Sequence, residues 1–244
     1  MTGLEIVVLV SLICVMAALY PSVGHGGASG YLAVMALLGV TAVLMRPSAL
    51  ILNVLVAALA TIAFYRAGFF RWNLLWPFLV TSIPCAYFAG SYSINEPTFK
   101  RLVAATLVIA AVRMIMPQRD HAIRPMPIPL AALLGGLIGA LSGLVGVGGG
   151  IFLTPLMILC GWATPREAAA VSAPFILLNS LAGLGGLLSI GIVVEPWLWW
   201  AAAAAVIGGL VGSHWSIRSA SQLWLRRALG VVLLVAACKF VITS

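Results

Sequence analysis

Charged residues are scarce in this chain of 244 residues: Asp, Glu, Lys and Arg together make up 7% of it. A soluble globular domain carries about 25% charged residues, which cover its surface with groups that water can solvate. Hydrophobic residues make up 63% of the chain, so there is too little polar surface for a water-soluble fold. The composition excludes a soluble enzyme, a nucleic-acid-binding protein and a disordered chain.

Sequence patterns for metal, nucleotide and proton chemistry are also absent. The four cysteines lie far apart and form no C-x-x-C pair, so neither a metal site nor a disulfide framework is expected. No G-x-x-x-x-G-K-[ST] loop is present, so the chain does not hydrolyse ATP by itself. Every Asp and Glu lies near the end of an apolar run or between runs, which excludes an intramembrane carboxylate relay. We therefore predict no cofactor and no bound metal.

The sequence does contain long apolar runs separated by short polar clusters. Most of these runs have about 15 to 23 residues, the length of helix needed to cross the hydrocarbon of a bilayer. The apolar stretches lie at about 3–20, 31–45, 49–65, 72–91, 99–116, 129–146, 151–161, 167–190, 196–215 and 223–243. They predict an all-α polytopic membrane protein whose surroundings are the lipid bilayer.

A proline-rich segment interrupts this pattern near the midpoint of the chain. Proline stops helices, so we predict that residues 117–128 link a first transmembrane repeat at 1–116 to a second at 129–244. The two parts resemble each other, because a glycine block and a basic cluster recur in the same order at nearly equal offsets. Residues 24–27 recur as 146–149, and residues 99–102 recur as 225–228. These landmarks indicate an internal duplication.

Each glycine block leaves an apolar piece that is too short to cross the membrane. The piece 151–161 offers about 16 Å of helix, whereas a spanning helix needs about 20 residues. The glycines among residues 146–150 each disfavour a helix interior by about 1 kcal/mol. We therefore predict two helical pieces, Ile128–Val145 and Ile151–Cys160, joined by a break at membrane depth. Irregular backbone survives there only inside protein or beside a wet cavity.

The basic residues, which give a net charge of +8, set the orientation of the segments rather than a nucleic-acid site. If both pieces of each broken segment change sides, the larger basic group shares the side of the linker. This group comprises Arg66, Arg71, Arg119, Arg124, Arg166, Arg218, Arg226 and Arg227, against Arg46, Lys100, Arg101 and Lys239. The positive-inside rule then places the linker in the cytoplasm and makes the halves inverted repeats. If each broken pair makes one crossing instead, the basic residues divide almost evenly.

Glycine-rich helix breaks can bind anions. Their N–H groups point into one concavity, and the following half-helix adds a positive partial charge at its N-terminus. Two breaks at corresponding positions are typical of a transporter binding site, although glycines also serve close helix packing. The candidate substrate-binding residues are therefore the two blocks, Gly24, His25, Gly26 and Gly27 in the first half and Gly146, Gly148, Gly149 and Gly150 in the second.

Three polar side chains complete the candidate site. His25 could donate to an anion or carry a proton, and its alternative role is a neutral histidine bonded to the broken backbone. Ser172 and Asn179 follow the second break and are counted as candidate substrate-binding residues. Their alternative role is hydrogen bonding between helices.

The second half is similar to the signature of the TauE/SafE family of sulfite and sulfonate transporters. The likeness lies in residues 143–150, Pro155, Gly161, Pro165, Ala168, Val171, Ser172, Asn179, Ser180 and Gly183, and the first half resembles it through residues 24–27, 46–47, Asn53 and 65–68. The family often has Thr where this chain has Val171. The resemblance implies a multi-pass carrier of the inner (cytoplasmic) membrane with about eight transmembrane helices that moves small sulfur-containing anions. A proton or a sodium ion as coupling ion, and a homodimer, are left open.

Two alternatives to a transporter come from other classes. Residues 27–30 fit the G-x-S-G pattern of rhomboid intramembrane serine proteases, in which Ser29 would be the nucleophile and His214 the base. A protease does not explain the duplication, and the second glycine block has no equivalent serine. A membrane scaffold that moves nothing leaves two buried helix breaks unexplained. We therefore predict a secondary transporter for a small anion, which works by alternating access around the two breaks.

Overall fold

The protein is described by a computed structural model over residues 2–22, 27–115, 123–218 and 223–242. Within these ranges all regular structure is α-helical, which confirms the all-α part of the predicted fold. The ten helices found there are α1 (Gly3–Ser22), α2 (Ala28–Leu37), α3 (Ala42–Arg66), α4 (Trp72–Gly90), α5 (Glu96–Ile115), α6 (Ile128–Val145), α7 (Gly150–Leu159), α8 (Pro165–Ile190), α9 (Trp197–Arg218) and α10 (Leu223–Ile242).

The helix lengths follow the apolar runs of the sequence. Eight helices have 18–26 residues, while α2 and α7 have 10 each. Within the described residues, α1, α3, α6 and α8 are long and apolar enough to cross a membrane by length and composition. Because α6 ends at Val145 and α7 begins at Gly150, the helix break predicted at the second glycine block is confirmed.

Local signals explain where the helices of the second half begin and end. At the start of α8, the Thr164 hydroxyl accepts from the Glu167 N–H at 3.3 Å, and the Glu167 carboxylate accepts from the Thr164 N–H at 3.1 Å. This capping box satisfies two donors that the first helical turn leaves without partners. Pro165 follows at the first helical position, where its fixed φ suits the helix.

Helix α7 turns back toward the end of the molecule at which α6 begins. The Arg124 N–H, just before α6, donates to the Gly161 carbonyl, just after α7, at 2.7 Å. The start of α6 and the end of α7 therefore lie at the same end of the molecule. The break between them is therefore the tip of a helical hairpin.

Helices α3 and α8 pack against each other in opposite directions. The Asn53 amide lies 3.5 Å from the Ser180 hydroxyl, and a Cβ at Gly183 would lie 3.6 Å from the Leu50 side chain. Residues 50 and 53 of α3 thus face residues 183 and 180 of α8, so the two helices run antiparallel. This antiparallel pair joins a helix from before residues 117–128 to one from after them.

Polar contacts mark the two ends of the bundle. Arg71 and Glu167, at the starts of α4 and α8, form an ion pair of 3.0 Å. Arg46, near the start of α3, donates to the carbonyls of Gly90 at the end of α4 and Gly143 near the end of α6. We call these the Glu167 end and the Arg46 end. Helices α4, α6 and α8 run from the Glu167 end to the Arg46 end.

Small residues allow several pairs of helices to touch through their backbones, among them α4 with α6, α1 with α9, and α4 with α8, where Gly186 meets the Tyr87 carbonyl. On α6, a Cβ at any of three glycines would collide with the backbone of α4: Gly135, Gly139 and Gly143. On α9, Gly208 and Gly212 face the backbone of α1 in the same way. Such contacts are typical of helix packing in membranes, where attraction depends on close approach. Both pairs, α4 with α6 and α1 with α9, run in parallel.

The outside of the bundle is apolar, as expected of helices that face lipid. Large hydrophobic side chains such as Phe88, which is 69% exposed, lie along several helices. Trp72 at the start of α4 and Trp199 and Trp200 at the start of α9 are also exposed, and these helix starts lie at opposite ends of the bundle. Tryptophan is enriched at both surfaces of a bilayer, so the two clusters suit the two membrane interfaces.

We expect Gly139→Ala to lower the free energy of unfolding by about 1–3 kcal/mol, because the added methyl group would collide with the Ser82 backbone. Gly136→Ala is the matched control, since the nearest atom to its new methyl group, the Thr81 Cβ, is 3.5 Å away. Thermal unfolding of the two purified variants in detergent checks this. Equal melting temperatures would contradict the close packing of α4 on α6.

Candidate functional site

The break between α6 and α7 is built from glycines in the left-handed region of backbone conformation. The φ values are +83° at Gly146, +75° at Gly148 and +80° at Gly149. Side chains are disfavoured at such angles, whereas glycine adopts them freely. Gly146 ends α6 by donating its N–H to the Ser142 carbonyl at 2.8 Å, as a helix C-cap does. Val147, the one residue of the turn with a side chain, is 3% exposed.

Helix α7 begins directly after this turn and presents its N-terminus inside the protein. Gly149 is its N-cap residue and provides no capping side chain. The first N–H groups of a helix have no partner within the helix, and they carry a positive partial charge. The start of α7 is therefore able to receive an anion without a buried basic side chain.

Side chains from α3 and α8 clamp the turn. The Asn53 amide donates to the Val147 carbonyl at 3.2 Å and is 3.5 Å from the Ser180 hydroxyl. A Cβ at Gly148 would lie 2.7 Å from the Asn53 Nδ2 atom, 2.8 Å from Ile176 and 2.9 Å from the Ser180 Oγ atom. The turn thus sits directly on the central α3–α8 pair, and no side chain fits at position 148.

Several buried polar atoms in this region have no partner among the described residues. They include the Oδ1 atoms of Asn53 and Asn179 and the Ser142 hydroxyl. Both asparagines are buried, at 1% and 0% exposure. Nearly all buried polar groups in proteins are hydrogen-bonded, and exceptions are found where a ligand, an ion or a water binds. These oxygens are free to take part in binding.

The candidate Ser172 lies beside the start of α7. The Thr154 hydroxyl of α7 donates to the Ser172 hydroxyl at 2.7 Å, and a Cβ at Gly150 would lie 3.8 Å from the Ser172 Cβ atom. The structure thus brings Ser172 together with Gly150, as the candidate site requires. The contact with Thr154 also joins α7 to α8, which is the helix-packing role considered for Ser172.

Asn179 lies one helical turn after Phe175, the residue of α8 whose ring covers the glycine turn. Its amide donates to the Phe175 carbonyl at 2.8 Å, within the same helix. The Phe175 ring would be 2.8 Å from a Cβ at Gly149. Asn179 therefore makes no direct bond to the turn, and it differs in this from Asn53. In the sequence Asn53 appeared only as part of the family resemblance, and its long-range contacts mark it as part of the site.

The first glycine block is described only at its last residue, because Gly24, His25 and Gly26 lie outside the described residues. Gly27 is the N-cap residue of α2 and has an ordinary helical φ of −73°. A Cβ there would collide with the Tyr31 ring. Gly27 is therefore held by close packing, and its backbone differs from that of the left-handed glycines in the second block.

Arg46 is a polar residue at the break that sequence reasoning assigned to topology alone. It is 6% exposed, and its guanidinium donates to the carbonyls of Gly143, Ala89, Gly90 and Tyr92. These carbonyls belong to the C-terminal ends of α4 and α6, where backbone acceptors are unpaired and the partial charge is negative. The buried cation thus holds two helix ends together beside the turn.

The comparisons with known proteins decide the class of the molecule. The family model described as "Sulfite exporter TauE/SafE" matches residues 9–240. The chain belongs to the TauE/SafE family. It is 34% identical over 231 residues to the probable membrane transporter protein y4hK of Sinorhizobium fredii, which covers 92% of this chain and 94% of that protein. It is also 29% identical over 126 residues, 46% of this chain and 45% of the relative, to the probable membrane transporter protein MJ0441 of Methanocaldococcus jannaschii.

No solved structure matches this chain. Membership of the TauE/SafE family makes the chain a multi-pass membrane transporter and not an enzyme. The protease alternative is therefore wrong, because the short G-x-S-G pattern arises easily in a chain so rich in small residues. Ser29, its expected nucleophile, is 1% exposed on α2, and the side chain of His214 lies outside the described residues.

Gly148→Ala is expected to destabilise this TauE/SafE protein more than Gly39→Ala does. Both glycines have a positive φ, so alanine strains both backbones by about 1–2 kcal/mol. Only at Gly148 would the new methyl group also collide with Asn53 and Ser180, whereas nothing lies within 4 Å at Gly39. Thermal unfolding in detergent measures both. A Gly39→Ala variant that melts as low as Gly148→Ala would remove the evidence for the clamp on the turn.

Proposed function

We propose that this protein is a secondary transporter of a small sulfur-containing anion of the sulfite or sulfonate class. It would act in the inner (cytoplasmic) membrane of the cell. The observation that carries the proposal is the glycine turn at residues 146–149, which is held inside the protein on Asn53 and Ser180. The name of the family, which refers to sulfite export, supports the choice of sulfur anions.

The anion would bind at the start of α7. Its charge meets the N–H groups of Gly148, Gly149 and Gly150 and the positive end of the helix dipole. The Asn53 amide and the Ser172 hydroxyl supply further polar groups around the turn. Glycine at these positions allows neighbouring groups to approach the backbone closely, and in this structure side chains such as Asn53, Phe175 and Ile176 occupy that space. Asn179 is a candidate on the same helix as Ser172, but its unpaired Oδ1 atom accepts hydrogen bonds and would not bind the anion directly.

We propose that the first block completes the site. By the duplication, Gly24, His25, Gly26 and Gly27 correspond to residues 146–149, and α2 corresponds to α7. Both of these short helices have 10 residues. His25 would donate to the anion or carry a proton, and a coupling proton or sodium ion remains part of this hypothesis.

The proposed duplication is inverted and has repeats at 1–116 and 129–244. Its support comes first from helix lengths, because α3 and α8 have 25 and 26 residues and α5 and α10 have 20 each. Further support is the antiparallel direction of α3 and α8, which occupy the same place in the two repeats. The packing of α4 on α6 also has its counterpart in that of α9 on α1. A homodimer stays a prediction.

Alternating access would depend on the surfaces that join the two repeats. The turn, the central α3–α8 pair and the close backbone contacts of α4 with α8 meet around one region. Rocking or gating of one repeat against the other would then expose the turn to one side at a time. We place the Glu167 end in the cytoplasm, because it carries Arg66, Arg71, Arg124 and Arg166.

Uptake into proteoliposomes tests the proposal. Purified protein is expected to give saturable flux of sulfite, thiosulfate or sulfoacetate that exceeds the flux of acetate, and to respond to an imposed proton or sodium gradient. Gly148→Val should abolish this flux while the protein still inserts into the membrane, because its side chain would fill the space beside Asn53. Gly39→Ala, in an open turn, is the control and should retain flux. Unchanged flux in Gly148→Val would refute the assignment of the turn as the site.

A further inference from the structure

A cavity of about 250 Å³ lies at the Arg46 end of the bundle, among the starts of α3 and α5 and the end of α8. Arg46, Ser93, Glu96 and Val193 are among the residues that line it. A water molecule takes up about 30 Å³ of the liquid, so the cavity has room for a small oxyanion together with several waters. In the proposed orientation, this cavity lies on the side away from the cytoplasm.

Arg46 brings a buried guanidinium to this cavity. Its side chain bonds to backbone carbonyls, and no carboxylate forms an ion pair with it in the part of the chain that the structure describes. The carbonyls at the C-terminal ends of α4 and α6 supply about half an elementary charge of negative partial charge each, and this charge is fixed in the backbone. A buried ionisable residue in a membrane protein is by default a sign of a substrate or ion pathway.

The guanidinium of Arg46 retains capacity to bind a ligand. It has five N–H groups, and its four hydrogen bonds use Nε once, Nη1 once and Nη2 twice. One N–H on Nη1 therefore has no partner among the described residues. The nearby Glu96 carboxylate forms an ion pair with Lys100 at 3.0 Å, so its charge is already balanced within the same helix.

Arg46 also connects the cavity to the glycine turn. A Cβ at Gly146 would lie 3.2 Å from the Arg46 carbonyl oxygen and 3.4 Å from its Cγ atom. Its Nε atom donates to the Gly143 carbonyl, in the last turn of α6, at 2.9 Å. The residue that lines the cavity thus contacts the first glycine of the break.

From these observations we infer that the cavity is an anion-binding vestibule, separate from the turn, in which Arg46 attracts and holds a small oxyanion. The anion would then lie beside the residue that contacts Gly146, the first glycine of the turn. The inference rests on the proposed function, since it assumes that the transported species is an anion. It adds a second binding site for the anion, and it identifies Arg46 as the residue whose positive charge favours anions there.

Substitutions that place a positive, a negative or a neutral polar side chain at position 193 test the vestibule without disturbing the hydrogen bonds of Arg46. Val193 lines the cavity and is 55% exposed, so its variants are expected to fold. Binding of sulfite, thiosulfate, sulfoacetate and acetate to the purified protein is measured by calorimetry at low salt, beside proteoliposome flux. We expect Val193→Lys to tighten and Val193→Glu to weaken sulfite binding about threefold to fivefold each, with Val193→Gln unchanged. In 1 M salt, where the screening length is about 3 Å, the differences should vanish.

Val194 provides the matched control, because it is the next residue, is 39% exposed and does not line the cavity. Val194→Lys and Val194→Glu should change sulfite binding much less than their counterparts at Val193. Equal effects at the two positions, or no effect at Val193, would overturn the vestibule even if the wild-type protein transports sulfite. If the Val193 variants alter acetate binding while no sulfur anion binds or crosses the membrane, the result supports the vestibule and refutes the proposed substrate class. If no anion binds at all, the result refutes both the vestibule and the proposed anion transport.

Variants of Arg46 itself give a second readout. Arg46→Gln removes the charge and should weaken sulfite binding through loss of the vestibule site, whereas Arg46→Lys keeps the charge and should retain part of that binding. Both lose some of the four carbonyl bonds, so both are expected to be less stable than the wild-type protein. Full sulfite binding by a folded Arg46→Gln protein would contradict the inference, and the Val193 series decides the matter if neither variant folds.

Discussion

The structure depends on one constraint, which is that irregular backbone inside a membrane protein must be satisfied by the protein itself. The turn at residues 146–149 breaks the hydrogen-bond ladder of a helix inside the protein, where residues 145–150 are buried. The Asn53 amide and the close-packed side chains of α8 enclose this turn. The irregular backbone is thus held by protein groups on several sides.

Glycine serves two different purposes in this fold. Along α6 and α9 it removes side-chain bulk so that helices touch through their backbones, and there its φ is ordinary. In the turn it supplies left-handed conformations as well as space. Gly27 belongs to the first kind by its backbone, although it stands in a block that the sequence makes equivalent to the turn. Equal composition in the two blocks therefore does not mean equal geometry at every position.

The sequence predicted the elements better than their arrangement. The bounds of α6 and α7 could be predicted because glycines stop a helix wherever they cluster, and this effect is local. The return of α7 depends on a bond between Arg124 and Gly161, and the role of Arg46 depends on carbonyls from two other helices. Such contacts join residues far apart in the chain, and no local pattern encodes them. Arg46 could be read only as a topology signal, because a lone arginine near a helix start usually is one.

The parallel pairs α4 with α6 and α1 with α9 have a consequence for how the protein is made. The surface of α1 that carries Cys14 and Ala18 receives its partner only when Gly208 and Gly212 of α9 have been synthesised. A ribosome adds about 5–20 residues per second, so α1 waits for on the order of ten seconds or more beside lipid or insertion factors. The N-terminal helices therefore enter the bilayer long before they acquire their final neighbours. Biogenesis must keep these glycine-matched surfaces from pairing elsewhere during that interval.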